Sequence, residues 1–244
     1  YMVIVPNHGT AIKAPKENKR KNIHIIMPSI TPNTTPNKLS VSVLLPTYNE
    51  HDNLPIIVYL LAKELNKASD VIGDFEIIIV DDNSPDGTGA VADRLAAPNT
   101  VGSLLKPGQV KVLKRAGKLG LGSAYVHGCA KAVFDHIVIL DADLSHHPRA
   151  IRQMALKMLS DPKLQIVTGS RYISGGGVSG WDVKRRVVSR GANFLADYLL
   201  RPQVSGLTGS FRLYRKAAFM QLIRETTTKG YTFQMAIMVR ARKH

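Results

Sequence analysis

A doubly wound α/β fold with a parallel sheet is predicted by three observations. Short apolar runs alternate along the chain with stretches of helical periodicity, the pattern of repeated strand–helix–strand units. The run Phe75–Val80 is apolar on both faces, as strands in the middle of a parallel sheet are. Several runs also break directly into polar clusters, and in open α/β sheets ligands collect outside the carboxyl ends of the strands.

The elements follow in order. Residues 1–5 (Tyr-Met-Val-Ile-Val) are apolar but too short for a signal core, and Pro6 ends them. Residues 7–39 are rich in Pro, Asn, Thr and Lys and carry no apolar period, so residues 1–39 read as a flexible basic N-terminal extension with a cluster at Lys13, Lys16, Lys19, Arg20 and Lys21. The folded domain then runs over 40–244. Val41–Pro46 is the first strand. Asn53 serves as N-cap and Pro55 sits in the first turn of a helix whose core stripe is Leu54, Ile57, Val58, Leu61 and Leu65. Phe75–Val80 is the second strand and Ala90–Ala97 its helix; Val110–Leu113 is the third, followed by a small-residue helix over Gly120–Phe134. Ile137–Leu140 is a strand, Pro148 opens a helix reaching about Leu159, and Leu164–Thr168 is a further strand. The rhythm then breaks: Gly175-Gly176-Gly177 reads as a mobile loop, Val183–Leu200 as a basic amphipathic helix, Gly206–Arg212 as a strand or extended segment, and the stretch around Lys216–Arg224 as a helix.

Composition narrows the partners. The 244 residues hold 33 Lys plus Arg against 18 Asp plus Glu, a formal +15. Such a surplus points to nucleic acid, nucleotide phosphates or an anionic membrane surface. The single cysteine, Cys129, lies in an apolar helical pattern and reads as a core residue; no internal disulfide or paired-Cys zinc site can form. No run approaches about 20 consecutive apolar residues, the length needed to span a bilayer as a helix.

Chemistry concentrates at three strand ends: Thr47-Tyr48-Asn49-Glu50, Asp81-Asp82 and Asp141-Ala142-Asp143. Parallel strands put these on one edge, where two carboxylates at i, i+2 suit a hard divalent cation carrying phosphates. Asp-x-Asp is also a common helix cap, and it is the convergence that favours a site. Other sites are excluded by motif. Gly120-Leu121-Gly122 is followed by Tyr125 where a dinucleotide loop needs glycine, and neither a phosphate-loop lysine nor a Gly-x-Ser-x-Gly elbow occurs. His146 and His147 are adjacent and lack i, i+4 spacing, which favours loop or helix-start roles over zinc. Arg171 follows a strand on the same edge and is either a phosphate clamp or a surface ion-pair partner. Lys184, Arg185, Arg186 and Arg190 form a basic helix face able to meet a second phosphate or an anionic membrane. Binding to nucleic acid is opposed by the acidic strand ends, which repel a polyphosphate unless metal intervenes.

Together with Gly117-Lys118-Leu119-Gly120-Leu121-Gly122, Gly169-Ser170-Arg171-Tyr172, Ser189-Arg190-Gly191-Ala192-Asn193 and Leu207-Thr208-Gly209-Ser210-Phe211-Arg212, these clusters resemble the inverting family 2 glycosyltransferases, and within them the dolichyl-phosphate mannose synthase catalytic subunits. The likeness covers about residues 41–243. It implies a GT-A fold, a mostly parallel sheet flanked by helices on both faces, and transfer of mannose from GDP-mannose to dolichyl phosphate with inversion, using Mg or Mn. Glucosyl transfer to dolichyl phosphate is the related alternative, and a nucleotide-sugar-binding scaffold the non-catalytic one. By position, the resemblance assigns Pro46, Tyr48, Glu50, Val80 and Asp82 to the nucleoside. It assigns Asp141, Ala142 and Asp143 to the diphosphate and metal, and Arg171 to phosphate. Arg185 and Ser189 fall to the acceptor phosphate, and Ser145 stands where some relatives offer a Gln as third metal ligand. The resemblance further implies small membrane-anchoring subunits and a place on the cytosolic face of the endoplasmic reticulum membrane. The family pattern continues past Arg240-Ala241-Arg242 with a further Arg and Lys, whereas this sequence stops at His244.

Overall fold

The computed structural model describes the backbone of residues 2–6 and residues 38–98, 100, 104–170 and 210–225. The sequence readings over 7–37, the Gly175-Gly176-Gly177 loop and the Val183–Leu200 helix lie outside the described residues. The strands are β1 (Met2–Pro6), β2 (Leu39–Thr47), β3 (Ile72–Asp81), β4 (Val110–Lys114), β5 (His136–Ile139), β6 (Ile166–Ser170) and β7 (Arg212–Arg215). The helices are α1 (Asn53–Lys67), α2 (Thr88–Ala96), α3 (Leu121–Lys131), α4 (Ala150–Ser160) and α5 (Lys216–Glu225).

The strands form one sheet in the order β1-β6-β7-β5-β2-β3-β4. β2 pairs in parallel with both β3 and β5, and β4 continues in parallel from β3. Alternation of side chains across the pleat then builds two cores. Val41, Val43 and Leu45 join Ile77, Ile79, Val138 and Leu140 beneath α1, α2 and α4. Leu44, Ile78, Val80, Ile137 and Ile139 face the other way, against Tyr125 and Cys129 of α3 and Phe219 and Leu222 of α5. Helices therefore flank both faces, as the sequence predicts. Gly128 lets α3 approach closely, because a Cβ there would lie 3.1 Å from Leu44 Cδ2 and 3.2 Å from Val80 Cγ2. Cys129 is fully buried, and burial pushes its thiol up to about 11, which makes it a core residue and not a nucleophile.

Three features sharpen or correct the sequence reading. The sheet is mostly parallel, as the family resemblance implies, and its exception is β7, which enters between β5 and β6 and runs antiparallel to both, with Arg212 opposite Ile139 and Thr168. The chain leaves β6 at its carboxyl end and re-enters at that same edge, so the returning strand must run backwards. Met2–Pro6, assigned to the extension, pairs in parallel with β6 from Met2↔Ile166 to Pro6↔Ser170. A β-branched run of that length suffices for an edge strand, where a terminal proline is tolerated. Finally, Asp52 and not Asn53 occupies the N-cap of α1, without a side-chain cap bond. Asn53 Nδ2 instead donates to Glu50 Oε2 at 2.8 Å, tying the helix to the loop that precedes it.

One buried carboxylate holds the sheet to its connections. Glu76 of β3 accepts from Ser42 Oγ at 2.6 Å and from the Val133 amide at 2.7 Å, and pairs with Lys111 Nζ at 2.6 Å. Burial pushes this carboxyl up, but the Lys111, Ser42 and Val133 contacts outweigh it and hold the group below its ordinary value of 4.5. A depressed folded value contributes stability above the unfolded value and loses it as pH falls through the folded one. Glu76→Gln is therefore expected to cost about 1–3 kcal/mol at pH 7 and to flatten the loss of stability below pH 4.5. Urea denaturation of both forms across pH checks this; parallel pH profiles would refute it.

Candidate active site

Four parallel strands, β2 to β5, end on one edge, and each delivers polar groups there. The loops after β2 and β3 are stitched together. The Asn49 amide donates to Ser84 Oγ at 3.1 Å, the Glu50 amide to Thr88 Oγ1 at 2.9 Å, and the His51 amide to Asp86 Oδ2 at 3.1 Å. Asp81 accepts from Ser84 Oγ at 2.6 Å, so it shapes the turn. Asp82 is buried, and Arg115, one residue beyond β4, clamps it bidentately through Nε at 2.6 Å and a terminal nitrogen at 2.7 Å. Arg115 also donates to Ser123 Oγ at 2.7 Å, locking the start of α3 to the same cluster.

Backbone strain marks each turn. Asn49, Asn83 and Leu144 adopt φ of 60°, 58° and 60°. Asn tolerates this left-handed conformation, but leucine rarely does, and such strain persists only where the surroundings over-determine it. Leu144 lies between Asp143 and Ser145, where the reversal folds the loop onto itself. The Ser145 amide donates to Asp143 Oδ1 at 3.0 Å, and the Ser145 hydroxyl meets His146 Nδ1 at 2.9 Å. His146 is 3% exposed, its ring 5.4 Å from that of Phe211. Ser210, which precedes β7, donates its hydroxyl to Asp141 Oδ2.

The outcome is a donor set. Asp141, Asp143 and His146 each offer a ligand atom, all within 4.8 Å of one another. The two hard carboxylate oxygens suit a divalent ion such as Mn or Mg, and the imidazole adds a nitrogen donor of the kind transition ions accept. Glu50 faces this set across the edge. Its carboxyl is held above the ordinary value first by burial and then by the Asp143 and Asp86 carboxylates, while Asn53 pulls the other way.

The site residues assigned in the sequence divide accordingly. Pro46, Tyr48, Glu50, Asp82, Asp141 and Asp143 reach the shared edge. Tyr48 is half-exposed at the rim, with Lys118 Nζ 4.1 Å from its ring centroid. Val80 and Ala142 sit on the same edge by position, but their side chains are 1% and 2% exposed and pack in the two cores. The Ser145 hydroxyl lies close to Asp143 in sequence and meets His146 Nδ1. His147 Nδ1 accepts the Arg149 amide at 3.2 Å, a helix-start role. Arg171, Arg185 and Ser189 lie outside the described residues. Three residues were missed: Arg115, His146 and Ser210. Arg115 could have been found, since it follows the strand Val110–Leu113 by two positions.

Residues 42–223 match the model of glycosyl transferase family 2. The chain belongs to that family. Its relatives include the polyprenol monophosphomannose synthase of Mycolicibacterium smegmatis, 36% identical over 203 residues that span 82% of this chain and 71% of that protein. They also include the undecaprenyl-phosphate mannosyltransferase of Micrococcus luteus, 30% identical over 206 residues, 83% and 77% of the respective chains. The fold is similar to that of glucosyl-3-phosphoglycerate synthase from Mycobacterium tuberculosis, solved with Mn2+, UDP and glucosyl-3-phosphoglycerate. The TM-score is 0.57 at 20% identity, covering 84% of this chain and 66% of that one, just under two thirds of its length.

Removing one partner of a buried ion pair strands the other charge. Arg115→Ala is expected to destabilise the protein by about 3–5 kcal/mol, and adding Asp82→Asn should recover part of that loss. Urea unfolding of the single and double variants reads the difference. A double variant less stable than Arg115→Ala alone would show that the pair is not what holds this corner.

Proposed function

We propose that this family 2 chain transfers mannose from GDP-mannose to a polyprenyl phosphate, with inversion at the sugar C1. The acceptor that the sequence resemblance implies is dolichyl phosphate. The observation that carries the proposal is the convergence of Asp141 and Asp143 with Glu50 and Asp82 on one strand edge. Relatives named as polyprenyl-phosphate mannosyltransferases support the choice of sugar and acceptor.

Tyr48, Glu50 and Asp82, with the backbone at Pro46 and Val80, would receive the guanosine. Asp82 is pre-oriented for this by the bidentate Arg115 clamp. Asp141 and Asp143 would hold Mg or Mn at the diphosphate, Asp141 steadied by the Ser210 hydroxyl and Asp143 by the Ser145 amide. A bound divalent ion supplies charge stabilisation for the departing diphosphate. Arg171 would add a cation at phosphate, and Arg185 with Ser189 would seat the acceptor phosphate.

No catalytic base is required in this scheme. A phosphate monoester has its second pKa near about 6 and is already largely a dianion at neutral pH, so the protein must position the nucleophile rather than deprotonate it. The proposed setting is the cytosolic face of the endoplasmic reticulum membrane. The net charge of +15 would draw the chain to anionic lipid, with small membrane subunits as anchors. No helix among the described residues is long and apolar enough to cross a membrane.

Asp143→Asn keeps the shape of the side chain and removes its charge. It should abolish Mn-dependent release of GDP from GDP-mannose in the presence of dolichyl phosphate, with unchanged circular dichroism and melting. The same assay with UDP-glucose separates the two sugars. Turnover near that of the wild type in Asp143→Asn, or transfer from UDP-glucose alone, would overturn the proposal.

A further inference from the structure

The sequence pattern puts Ser145 where some relatives carry a third metal ligand, and the geometry around it points elsewhere. The Ser145 hydroxyl lies 2.9 Å from His146 Nδ1 and its amide serves Asp143. The amide and the hydroxyl of Ser145 thus both help to shape the loop. The imidazole next to it offers a ring nitrogen within 4.8 Å of the ligand oxygens of Asp141 and Asp143.

We propose that His146 is the third protein ligand of the cation, and that its nitrogen makes the site select Mn2+ over Mg2+. This rests on the metal-dependent reading given above. Three observations carry it. The residue is only 3% exposed, although a histidine in an acidic surface loop would ordinarily face water. It is held on two sides, by the Ser145 hydroxyl at Nδ1 and by the tilted ring of Phe211 at 5.4 Å. A ligating imidazole is typically fixed by partners of that kind, which set its orientation and basicity. And Phe211 adjoins Ser210, whose hydroxyl holds Asp141, so the two residues that lead into β7 fix two of the three donors from one side.

The selectivity follows from ligand chemistry. Mg2+ favours oxygen donors in a near-ideal octahedron and dehydrates reluctantly. Mn2+, although the weakest binder of the first-row transition series, is a transition ion and takes an imidazole nitrogen beside carboxylates at lower cost than Mg2+ does. A set of three oxygens, as a Ser145 ligand would provide, gives no such preference.

The test measures binding of Mn2+ and Mg2+ to the purified chain with GDP present, by calorimetry and by Mn2+ electron paramagnetic resonance. Melting in EDTA reports the fold of each variant. The wild type should bind Mn2+ about tenfold or more tightly than Mg2+. His146→Phe keeps a ring against Phe211 but has no donor; it should lose Mn2+ affinity by about 10–100-fold and erase the preference. His146→Gln supplies an oxygen and should bind both ions alike. Ser145→Ala should weaken binding yet keep the preference for Mn2+. If His146→Phe does not fold, the comparison of His146→Gln with the wild type decides: a retained preference overturns the proposal. It is equally overturned by a folded His146→Phe with unchanged Mn2+ affinity, or by loss of the preference in Ser145→Ala alone. A wild type that binds neither ion would overturn the metal-dependent reading along with this one, whereas binding that ignores His146 would overturn only the assignment of the third ligand.

Discussion

Parallel pairing of β2 with β3 and β5 is the constraint on which the rest depends. Because these strands run in register and in one direction, every loop that follows them must turn at the same edge. Sequence segments separated by dozens of residues are thereby forced together: Glu50, Asp82 and Asp143 become neighbours through backbone hydrogen bonding and not through any affinity for one another. The two apolar cores hold the strands in that register, since a slip by one residue would exchange the buried faces of Val43 and Leu44.

Crowding carboxylates at one edge is costly, and the surrounding groups show how the cost is offset. Asp82 is neutralised by the bidentate Arg115 clamp, while Asp81 accepts the Ser84 hydroxyl and Asp86 the amide and hydroxyl of Thr88, hydrogen bonds that stabilise their charge without removing it. Asp141 takes the Ser210 hydroxyl. Negative charge is left standing around Glu50, whose carboxyl is raised first by burial and then by repulsion from Asp143 and Asp86. A site that keeps residual negative charge is one that a cation stabilises on binding, so the electrostatic strain and the proposed chemistry have a common origin. The left-handed backbone at Leu144 belongs to the same picture: strain at a functional turn, sustained by the hydrogen bonds and packing around it.

The sequence made the strands and their carboxyl ends legible because apolar runs and polar breaks are local signals. Asp141, Asp143, Glu50 and Asp82 could be placed on one edge from the rhythm of the chain alone. The family likeness extended this to roles. What stayed hidden depends on contacts between distant segments. The antiparallel insertion of β7 is set by where the chain re-enters the sheet, and nothing in Arg212–Arg215 announces it. His146 looked like a loop residue because adjacent histidines carry no metal-ligand spacing; only the reversal at Leu144 and the ring of Phe211, 65 positions further on, turn it toward the carboxylates. Ser210 is invisible for the same reason. Met2–Pro6 was overlooked because a short apolar run before a long polar one lacks a neighbouring partner in sequence.

The convergence of the strand ends on one cation site is most directly tested by titrating Mn2+ into isotopically labelled protein with GDP and following paramagnetic broadening of backbone amides. Signals from Glu50, Asp82, Asn83 and the stretch Asp141 to His146 should vanish first, while Leu39, Phe75 and His136 at the opposite ends of β2, β3 and β5 keep theirs. Broadening spread evenly over the acidic residues of the surface, or centred on the opposite edge of the sheet, would contradict it.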